Sequence, residues 1–329
     1  GEVDLFYLSP ELLLAYDISY FVGERRIGLV VVDEAHTVTT WGKEFRVDYW
    51  FLGRHLEALK NALGYVFPVF ALTATAVWNP EGGNDMIFDT IRSLHLAPCA
   101  LYVGTVKREN IGFDITAMTI EEGETYDKAK QRTVAARVED FLDGHKTIIY
   151  YPFAGGIDMK LKTWVYPANW HWVASYYGKK DKEQKAEIIQ AFKEGEKKII
   201  VATKAFGMGV DISDIDRGYH VAPSSTFVDY IQEIGRAARD KNITGVAVTD
   251  FNERDFYYMK RLHSAGAISQ EQLGMILKKV WEIYLMKGCS DEMQMSLSDF
   301  EFAVKLPRKK NKLEYESDLE QVVKTALLW

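Results

Sequence analysis

Residues 27–36, Ile-Gly-Leu-Val-Val-Val-Asp-Glu-Ala-His, decide the fold. A mostly apolar run ends there at two adjacent carboxylates, and similar runs at 3–8 and 66–72 end at hydroxyl-bearing residues. Continuous apolar runs of this length are typical of strands that are buried on both faces, as in a parallel sheet covered by helices. The pattern in the first third of the chain therefore predicts an α/β fold with a parallel sheet.

The same alternation begins again further along the chain. We expect a helix over 126–142 and another over 181–192, with Asp181 as its N-cap and Gly195 just past its end. Apolar strands are predicted at 147–151, 171–177, 199–202, 219–221 and 246–248. This pattern indicates a second α/β unit, joined to the first by a linker at 112–124, where the apolar pattern is broken.

Composition narrows the class of protein. With 329 residues and 47% hydrophobic content, the chain can bury a sizeable core in about two domains. A net charge of -7 means that any affinity for nucleic acid must come from a local groove. The sequence has two cysteines, Cys99 and Cys289, which are far apart, so a disulfide framework within it is excluded. No apolar run approaches about 18 residues and no signal-peptide pattern opens the sequence, so we expect a soluble, cytoplasmic protein without a membrane partner.

Both ends of the sequence look interrupted. The chain begins almost inside the run at 3–8, and a last helix, with Ser317 as N-cap and Glu320 three residues later, continues to Trp329. No Gly, Asn or Pro closes that helix. We therefore expect this sequence to be a piece of a longer protein.

Asp33 and Glu34 carry the first chemical signal. They follow a buried strand directly, at the edge where open α/β sheets bind ligands. An Asp at this place can hold Mg²⁺ through water, and the adjacent Glu can orient or deprotonate a water that attacks a γ-phosphate. Four letters alone are equally well explained by an acidic strand end in a solvated loop. Further segments favour the chemical interpretation: Thr73-Ala74-Thr75 follows the next strand, and two longer stretches follow later strands.

These stretches together resemble superfamily 2 helicases and, within them, the RecQ family. Residues 33–49, DEAHTVTTWGKEFRVDY, are similar to that family's motif II, a DEAH box, and its aromatic-rich loop. Residues 201–216, VATKAFGMGVDISDID, and 230–240, YIQEIGRAARD, are similar to its motifs V and VI. The resemblance implies two RecA-like parallel-sheet domains, the first incomplete, followed by a mostly helical segment. The division expected is 1–115, 116–260 and 261–329.

The resemblance also implies roles for individual residues. The catalytic residues would be Asp33, Glu34, Arg236 and Arg239, with Mg²⁺ on Asp33 through water and the arginines stabilising charge on the transferred phosphoryl group. The residues that contact ATP would be Asp33, His36, Gly209, Asp211 and Gln232. DNA contacts would come from Trp41, Phe45, Arg46 and Thr203, and from a weaker three-residue match at Tyr7, Ser9 and Pro10. Thr73 and Thr75 would couple the two sites.

Each of these residues also has a structural interpretation. Trp41 and Phe45 could be core residues, and the threonines could be ordinary turn residues. Arg236 and Arg239, three apart, would share one face if their segment is helical, and such a helix could also be a solvated surface element. The family's glycine within this segment is Ala238 here.

The sequence departs from the family in two places. The phosphate-binding pattern G-x-x-x-x-G-K-[ST] occurs nowhere in it, although this loop normally holds the triphosphate. We therefore expect little ATPase activity from this chain alone and an upstream half of the helicase core as its partner. After Tyr258, where many members carry a cysteine-rich module, only Cys289 remains, so no zinc is expected. The basic residues at 308–312 fit either a winged-helix unit or a solvated basic loop.

Taken together, the resemblance implies part of an ATP- and Mg²⁺-dependent DNA helicase acting in DNA repair and recombination. Hydrolysis would drive 3′-to-5′ movement on single-stranded DNA and separation of duplex DNA, with RNA as a further nucleic-acid partner. A catalytically silent nucleic-acid-binding scaffold and one half of a split helicase are the alternatives. Retention of both carboxylates and both arginines argues against the scaffold, because opposed charges have no electrostatic reason to persist around an empty cleft.

Overall fold

The computed structural model describes residues 4–39, 47–76, 85–104, 107–207, 210–240, 242–264, 268–289, 293–302 and 312–328. Contacts divide the chain into two units, one formed by Gly1–Val103 with Ser264–Trp329 and the other by Gly104–His263. Both have the predicted α/β character in their sheet-bearing parts. None of the described helices is long and apolar enough to cross a membrane.

The first unit contains a parallel pair of strands, β1 (Val30–Val32) and β2 (Val69–Ala71). The helices described in its N-terminal part are α1 (Pro10–Ala15), α2 (Ser19–Val22), α3 (Val47–Leu63) and α4 (Met86–Ser93), with a 3-10 turn at Ala35–Val38. The strands expected at 27–32 and 66–72 are thus confirmed in shortened form. The strand expected at 3–8 is wrong for residues 4–8, where no strand is assigned and the apolar side chains at 5–7 are exposed.

Helices α3 and α4 approach each other closely at Gly53. A Cβ atom placed on Gly53 would lie 2.1 Å from the carbonyl oxygen of Ser93 and 2.7 Å from Cα of Leu94. Leu52 and Leu56 on α3 are buried in the same core cluster as Leu94. The absence of a side chain at Gly53 therefore lets α3 pack directly against the end of α4.

The second unit contains a six-stranded parallel sheet in the order β3-β8-β7-β4-β6-β5. Its strands are β3 (Ile111–Ala117), β4 (Thr147–Tyr150), β5 (Val173–Tyr176), β6 (Ile199–Ala202), β7 (Arg217–His220) and β8 (Gly245–Phe251). Its described helices are α5 (Tyr126–Asp140), α6 (Ile157–Trp164), α7 (Lys182–Glu194), α8 (Phe227–Ile234) and α9 (Phe256–Ser264), with 3-10 turns at Pro167–Trp172, Lys204–Gly207 and Glu253–Asp255. The five predicted strands and both predicted helices of this unit are confirmed.

The linker expected at 112–124 is wrong in its first half. Strand β3 lies there and pairs with β8 along its whole length, from Ile111 opposite Gly245 to Ala117 opposite Phe251. It is an edge strand with mostly exposed side chains, so it lacks the apolar pattern that marks the inner strands. The strand belongs to the second unit, while the three-part division at 115 and 260 stays a prediction.

The inner strands of this sheet are buried on both faces. Along β4, Ile148 and Tyr150 join one core cluster, whereas Ile149 between them joins another. Strand β6 divides in the same way between Ile200 on one side and Val201 on the other. This two-sided burial explains the continuous apolar runs, since successive side chains of a strand point to opposite faces.

The C-terminal segment groups with the first unit. It contains α10 (Gln270–Met286), a 3-10 turn at Leu297–Phe300 and α11 (Lys312–Leu328), which share a core of Ile276, Ile283, Phe300, Leu319, Val323 and Ala326. The final helix begins at Lys312, so the prediction of Ser317 as its N-cap is wrong. Residues before Ser317 are good helix formers and extend the helix by another turn. Residues 303–311, with most of the basic run, lie outside the described part, so the winged-helix alternative stays open.

Candidate functional site

Asp33 and Glu34 form a tight turn at the carboxyl end of β1. The backbone N–H of Glu34 donates to Oδ1 of Asp33 at 2.8 Å. Glu34 has φ 48°, in the left-handed region that costs a non-glycine residue about 1 kcal/mol. Such strained residues cluster at functional sites, where surrounding structure maintains them. Both residues are exposed, so the turn presents two carboxylates to solvent.

His36 connects this turn to the residues after β2. The imidazole is buried, and its Nδ1 lies 2.9 Å from Oγ1 of Thr73 and 3.3 Å from Oγ1 of Thr75. The same nitrogen lies 3.3 Å from Oε2 of Glu34. The structure therefore brings Glu34, His36, Thr73 and Thr75, four residues predicted for the site, together around one ring nitrogen.

The segment with the arginines is a turn in the second unit. Helix α8 ends at Ile234 and a turn follows, so the condition for Arg236 and Arg239 to share a helical face is not met. Ala238 has φ 49°, which a right-handed helix cannot accommodate, and its N–H donates to the carbonyl of Ile215 at 2.8 Å. A glycine at this position, as in the family, would adopt that conformation without strain.

Both arginines are oriented by residues of the segment that follows β6. Nη1 of Arg239 donates to Oδ1 of Asp211 at 2.7 Å, so these two predicted residues are in contact. The guanidinium of Arg236 lies against the backbone of Gly207: a Cβ atom there would be 2.4 Å from Nη2 and 2.9 Å from Cζ. The lack of a side chain at Gly207 therefore provides the space that Arg236 occupies.

Sequence reasoning missed a buried network beneath this turn. Oε2 of Glu233 lies 3.0 Å from Nε2 of His220 and also accepts a hydrogen bond from the hydroxyl of Ser224. The carbonyl of Glu233 accepts from the hydroxyl of Tyr150 at 3.1 Å and from the N–H of Arg236 at 3.3 Å. Burial raises the pKa of the Tyr150 hydroxyl, and the Glu233 carboxylate raises it further. Glu233 thus holds the backbone of Arg236, the first of the two arginines in the turn.

A signal for this network is present in the sequence. Asp229 and Glu233 are four apart in α8, and both are buried. Two acidic residues with this spacing on the apolar face of a helix indicate buried partners, because an unpaired buried carboxylate is costly. Asp229 has such a partner in Lys204. The hydrogen bonds from Lys204 and Ser225 lower the Asp229 pKa, although burial alone would raise it.

The other predicted site residues lie on separate elements of the fold. Oγ of Ser9 accepts from the N–H of Leu12 at 3.4 Å and so caps α1, which starts with the buried Pro10. Tyr7 is 90% exposed. Thr203 follows β6, and its Oγ1 accepts from the N–H of Ala205 at 3.4 Å. Gln232 lies in α8. The remaining predicted residues, Trp41, Phe45, Arg46 and Gly209, lie outside the described residues.

A family model described as Helicase conserved C-terminal domain matches residues 131–241, which include the arginine turn. The chain is similar to the ATP-dependent helicase SGS1 of Saccharomyces cerevisiae, with 29% identity over 80% of this chain and 17% of that protein. It is also similar to the probable ATP-dependent DNA helicase RecS of Bacillus subtilis, with 30% identity over 83% of this chain and 51% of that protein.

Solved structures agree on the fold. The structure of Mycobacterium smegmatis helicase Lhr bound to ssDNA and AMP-PNP matches with a TM-score of 0.55 and 17% identity, over 84% of this chain and 35% of that chain.

The chain spans 51% of the length of the Bacillus relative and 17% of the length of the yeast relative. The family-model match and these relatives together support a RecQ-like superfamily 2 helicase fragment.

Proposed function

We propose that this chain is the part of an ATP-dependent DNA helicase that converts ATP hydrolysis into movement along DNA. The observation that carries the proposal is the set of contacts around His36. There Glu34, proposed to act on water, and Thr73 and Thr75, proposed to couple the sites, contact the same imidazole nitrogen. A change at the threonines therefore has a direct physical route to the residue proposed for hydrolysis.

The proposed roles divide between the two units. In the first, Asp33 would hold Mg²⁺ through water, for which an exposed carboxylate at a strand end is a suitable hard oxygen donor. Bound Mg²⁺ would neutralise charge on the phosphates. Glu34 would orient or deprotonate the attacking water, and Arg236 and Arg239 would stabilise negative charge on a transferred phosphoryl group. His36, Gly209, Asp211 and Gln232 complete the contacts to ATP.

DNA is the proposed partner that stimulates hydrolysis. The loop with Trp41, Phe45 and Arg46 follows the carboxylates directly in sequence, and aromatic faces and guanidinium groups bind unpaired bases and phosphates. Ser9 and Thr203 contribute contacts to the DNA backbone. We further propose 3′-to-5′ movement, a role in DNA repair and recombination in the cytoplasm, and RNA as a second nucleic-acid ligand.

The phosphate-binding loop is proposed to come from polypeptide outside these 329 residues. An exposed apolar surface on the small sheet supports this: Val31 of β1 is 50% exposed, Phe70 of β2 is 49% exposed, and Leu29 is exposed beside them. An upstream half of the helicase core, in the same polypeptide or as the other half of a split enzyme, would cover this surface. On this proposal the 329-residue chain alone hydrolyses little ATP.

Gly207→Ala is expected to lower DNA-stimulated ATP hydrolysis by the complete natural protein about a hundredfold. The added methyl group would collide with the Arg236 guanidinium and move it by an ångström or more, a displacement that can cost about this much in rate. Since the displaced atoms end a flexible side chain, the free energy of unfolding should change by less than about 1 kcal/mol. Steady-state ATPase assays and urea denaturation measure the two effects.

The matched control is Gly178→Ala, because a Cβ atom at Gly178 meets nothing within 4 Å. This variant should retain the wild-type ATPase rate. A Gly207→Ala enzyme with wild-type turnover would show that the position of Arg236 does not matter for hydrolysis.

Unwinding assays with tailed duplexes test the proposed function as a whole. The complete natural protein should separate a duplex with a 3′ single-stranded tail only when ATP and Mg²⁺ are present, and should leave a duplex with a 5′ tail intact. Glu34→Gln should abolish unwinding while DNA is still bound. Unwinding from the 5′ tail would overturn the proposed direction. DNA binding without hydrolysis or unwinding would favour the second candidate, a catalytically silent scaffold, which the missing phosphate-loop pattern supports.

A further inference from the structure

A cavity of about 530 Å³ lies between α3 and α4, apart from the residues assigned above. Its described lining consists of Thr39, Trp50, Phe51, Arg54, Asp89, Arg92, Ser93 and His95. This volume lies within the range of roughly 300–1,000 Å³ that is typical of small-ligand sites. The cavity is large enough for part of a nucleotide strand.

The walls of the cavity are held by a rigid contact between the two helices. Gly53 of α3 touches the backbone of Ser93 and Leu94 at the end of α4, with no room for even a methyl group. Trp50 and Arg54 lie three residues before and one residue after Gly53, so this contact fixes the spacing between their helix and Arg92. The backbone contact at Gly53, and not side-chain packing alone, therefore fixes the distance between the two helices that line the cavity.

Two guanidinium groups in the lining are available for a ligand. The guanidinium groups of Arg54 and Arg92 form no ion pair or hydrogen bond with any residue that the structure describes, and both residues are exposed. Asp89 is the one carboxylate of the described lining, while Nδ1 of His95 pairs with Oε2 of Glu57 at 2.7 Å. The described lining thus carries a net positive charge although the whole chain is acidic, with a net charge of -7.

Aromatic rings stand beside these cations. Trp50 and Phe51 line the cavity, and Phe51 is partly exposed. Flat aromatic faces stack on unpaired bases of any sequence, and guanidinium groups bind phosphates with two parallel hydrogen bonds. A ligand that offers a base and a phosphate at the same time therefore suits this lining better than a free anion or an apolar molecule.

We propose that this cavity binds a nucleotide of single-stranded DNA. Thr39 and Trp50 of the lining flank, in sequence, the residues proposed to contact DNA at 41–46. This inference rests on the proposed function, because it assumes that the chain binds single-stranded DNA. It adds Arg54 and Arg92 as phosphate contacts and Trp50 and Phe51 as stacking contacts.

Fluorescence anisotropy with a labelled 15-nucleotide oligo-dT tests the inference on the 329-residue chain at several KCl concentrations. Arg54→Ala and Arg92→Ala should each weaken binding about three- to tenfold and reduce the slope of log K against log[KCl] by about 0.7, the value for one contact to a single-stranded phosphate. Phe51→Ala should weaken binding while leaving the slope unchanged, because it removes stacking but no charge. Thermal melting checks that the variants fold.

The matched control is Lys60→Ala, which removes one positive charge from the same helix outside the cavity. It should bind as the wild-type chain does. If the wild-type chain fails to bind oligo-dT, both the inference and the proposed DNA binding fail. If the wild-type chain binds and the arginine variants bind equally well, the cavity inference alone is overturned. An equal loss in Lys60→Ala also overturns it, because general charge would then explain the effect.

Discussion

Arg236→Ala is expected to lower the DNA-stimulated rate of ATP hydrolysis by the complete natural protein about a thousandfold or more. Arginines that stabilise charge on a transferred phosphoryl group contribute roughly 10³–10⁵ in rate. The backbone of Arg236 is held by the carbonyl of Glu233, and its guanidinium lies against Gly207, so the charge is fixed in place before hydrolysis. Steady-state ATPase assays at saturating single-stranded DNA measure the effect.

Two further variants separate charge from geometry. Arg236→Lys keeps the positive charge but loses the planar, forked donor, so it should recover little of the lost rate. Arg254→Ala removes an exposed arginine of the same unit and should leave hydrolysis unchanged. Near-normal turnover by Arg236→Ala would remove this residue from the proposed chemistry.

Asp255→Asn is expected to reduce the free energy of unfolding by about 3–5 kcal/mol, the usual cost of breaking a buried ion pair on one side. The Asp255 side chain is fully buried. Its Oδ2 accepts from Nζ of Lys130 at 2.9 Å and from the N–H of Asn252 at 2.8 Å, and its Oδ1 accepts from the hydroxyl of Tyr126. Burial lowers the Lys130 pKa, although Asp255 opposes this, so removal of the carboxylate leaves a buried ammonium group without its counterion.

Urea denaturation of the 329-residue chain, followed by circular dichroism, measures this loss. Glu253→Gln is the matched control, because Glu253 lies in the same 3-10 turn but is exposed. It should change the free energy of unfolding by less than about 0.5 kcal/mol. Equal midpoints for the Asp255→Asn and wild-type chains would show that the buried pair contributes no net stability.

The inner strands of the second unit could be predicted from the sequence because burial on both faces leaves uninterrupted apolar runs. Strand β3 could not, since an edge strand with exposed side chains such as Phe113 and Asp114 has no such run. The run at 3–8 leads to the opposite error: it is mostly apolar and predicts a strand, but among the described residues no strand pairs with residues 4–8. Strand pairing, not hydrophobicity alone, decides these cases.

The candidate site shows the same division. Asp33, Glu34 and His36 lie within four residues of one another in the sequence, so their proximity could be predicted. The contact between Thr73 and His36, in contrast, spans 37 residues of sequence. Only the parallel pairing of β1 with β2 brings the two segments to one edge of the sheet. The sequence leaves open whether the segment around Arg236 is helical, because the left-handed backbone at Ala238 depends on tertiary contacts, including the bond to Ile215. The catalytic and binding roles themselves stay predictions.

The most direct test of the account is the ATPase rate of the complete natural protein with and without single-stranded DNA, for the wild type and for Glu34→Gln. The account predicts a rate that rises manyfold when DNA is added and that falls to background in Glu34→Gln, both with and without DNA. A rate that DNA does not change, or that survives the loss of the Glu34 carboxylate, would contradict it.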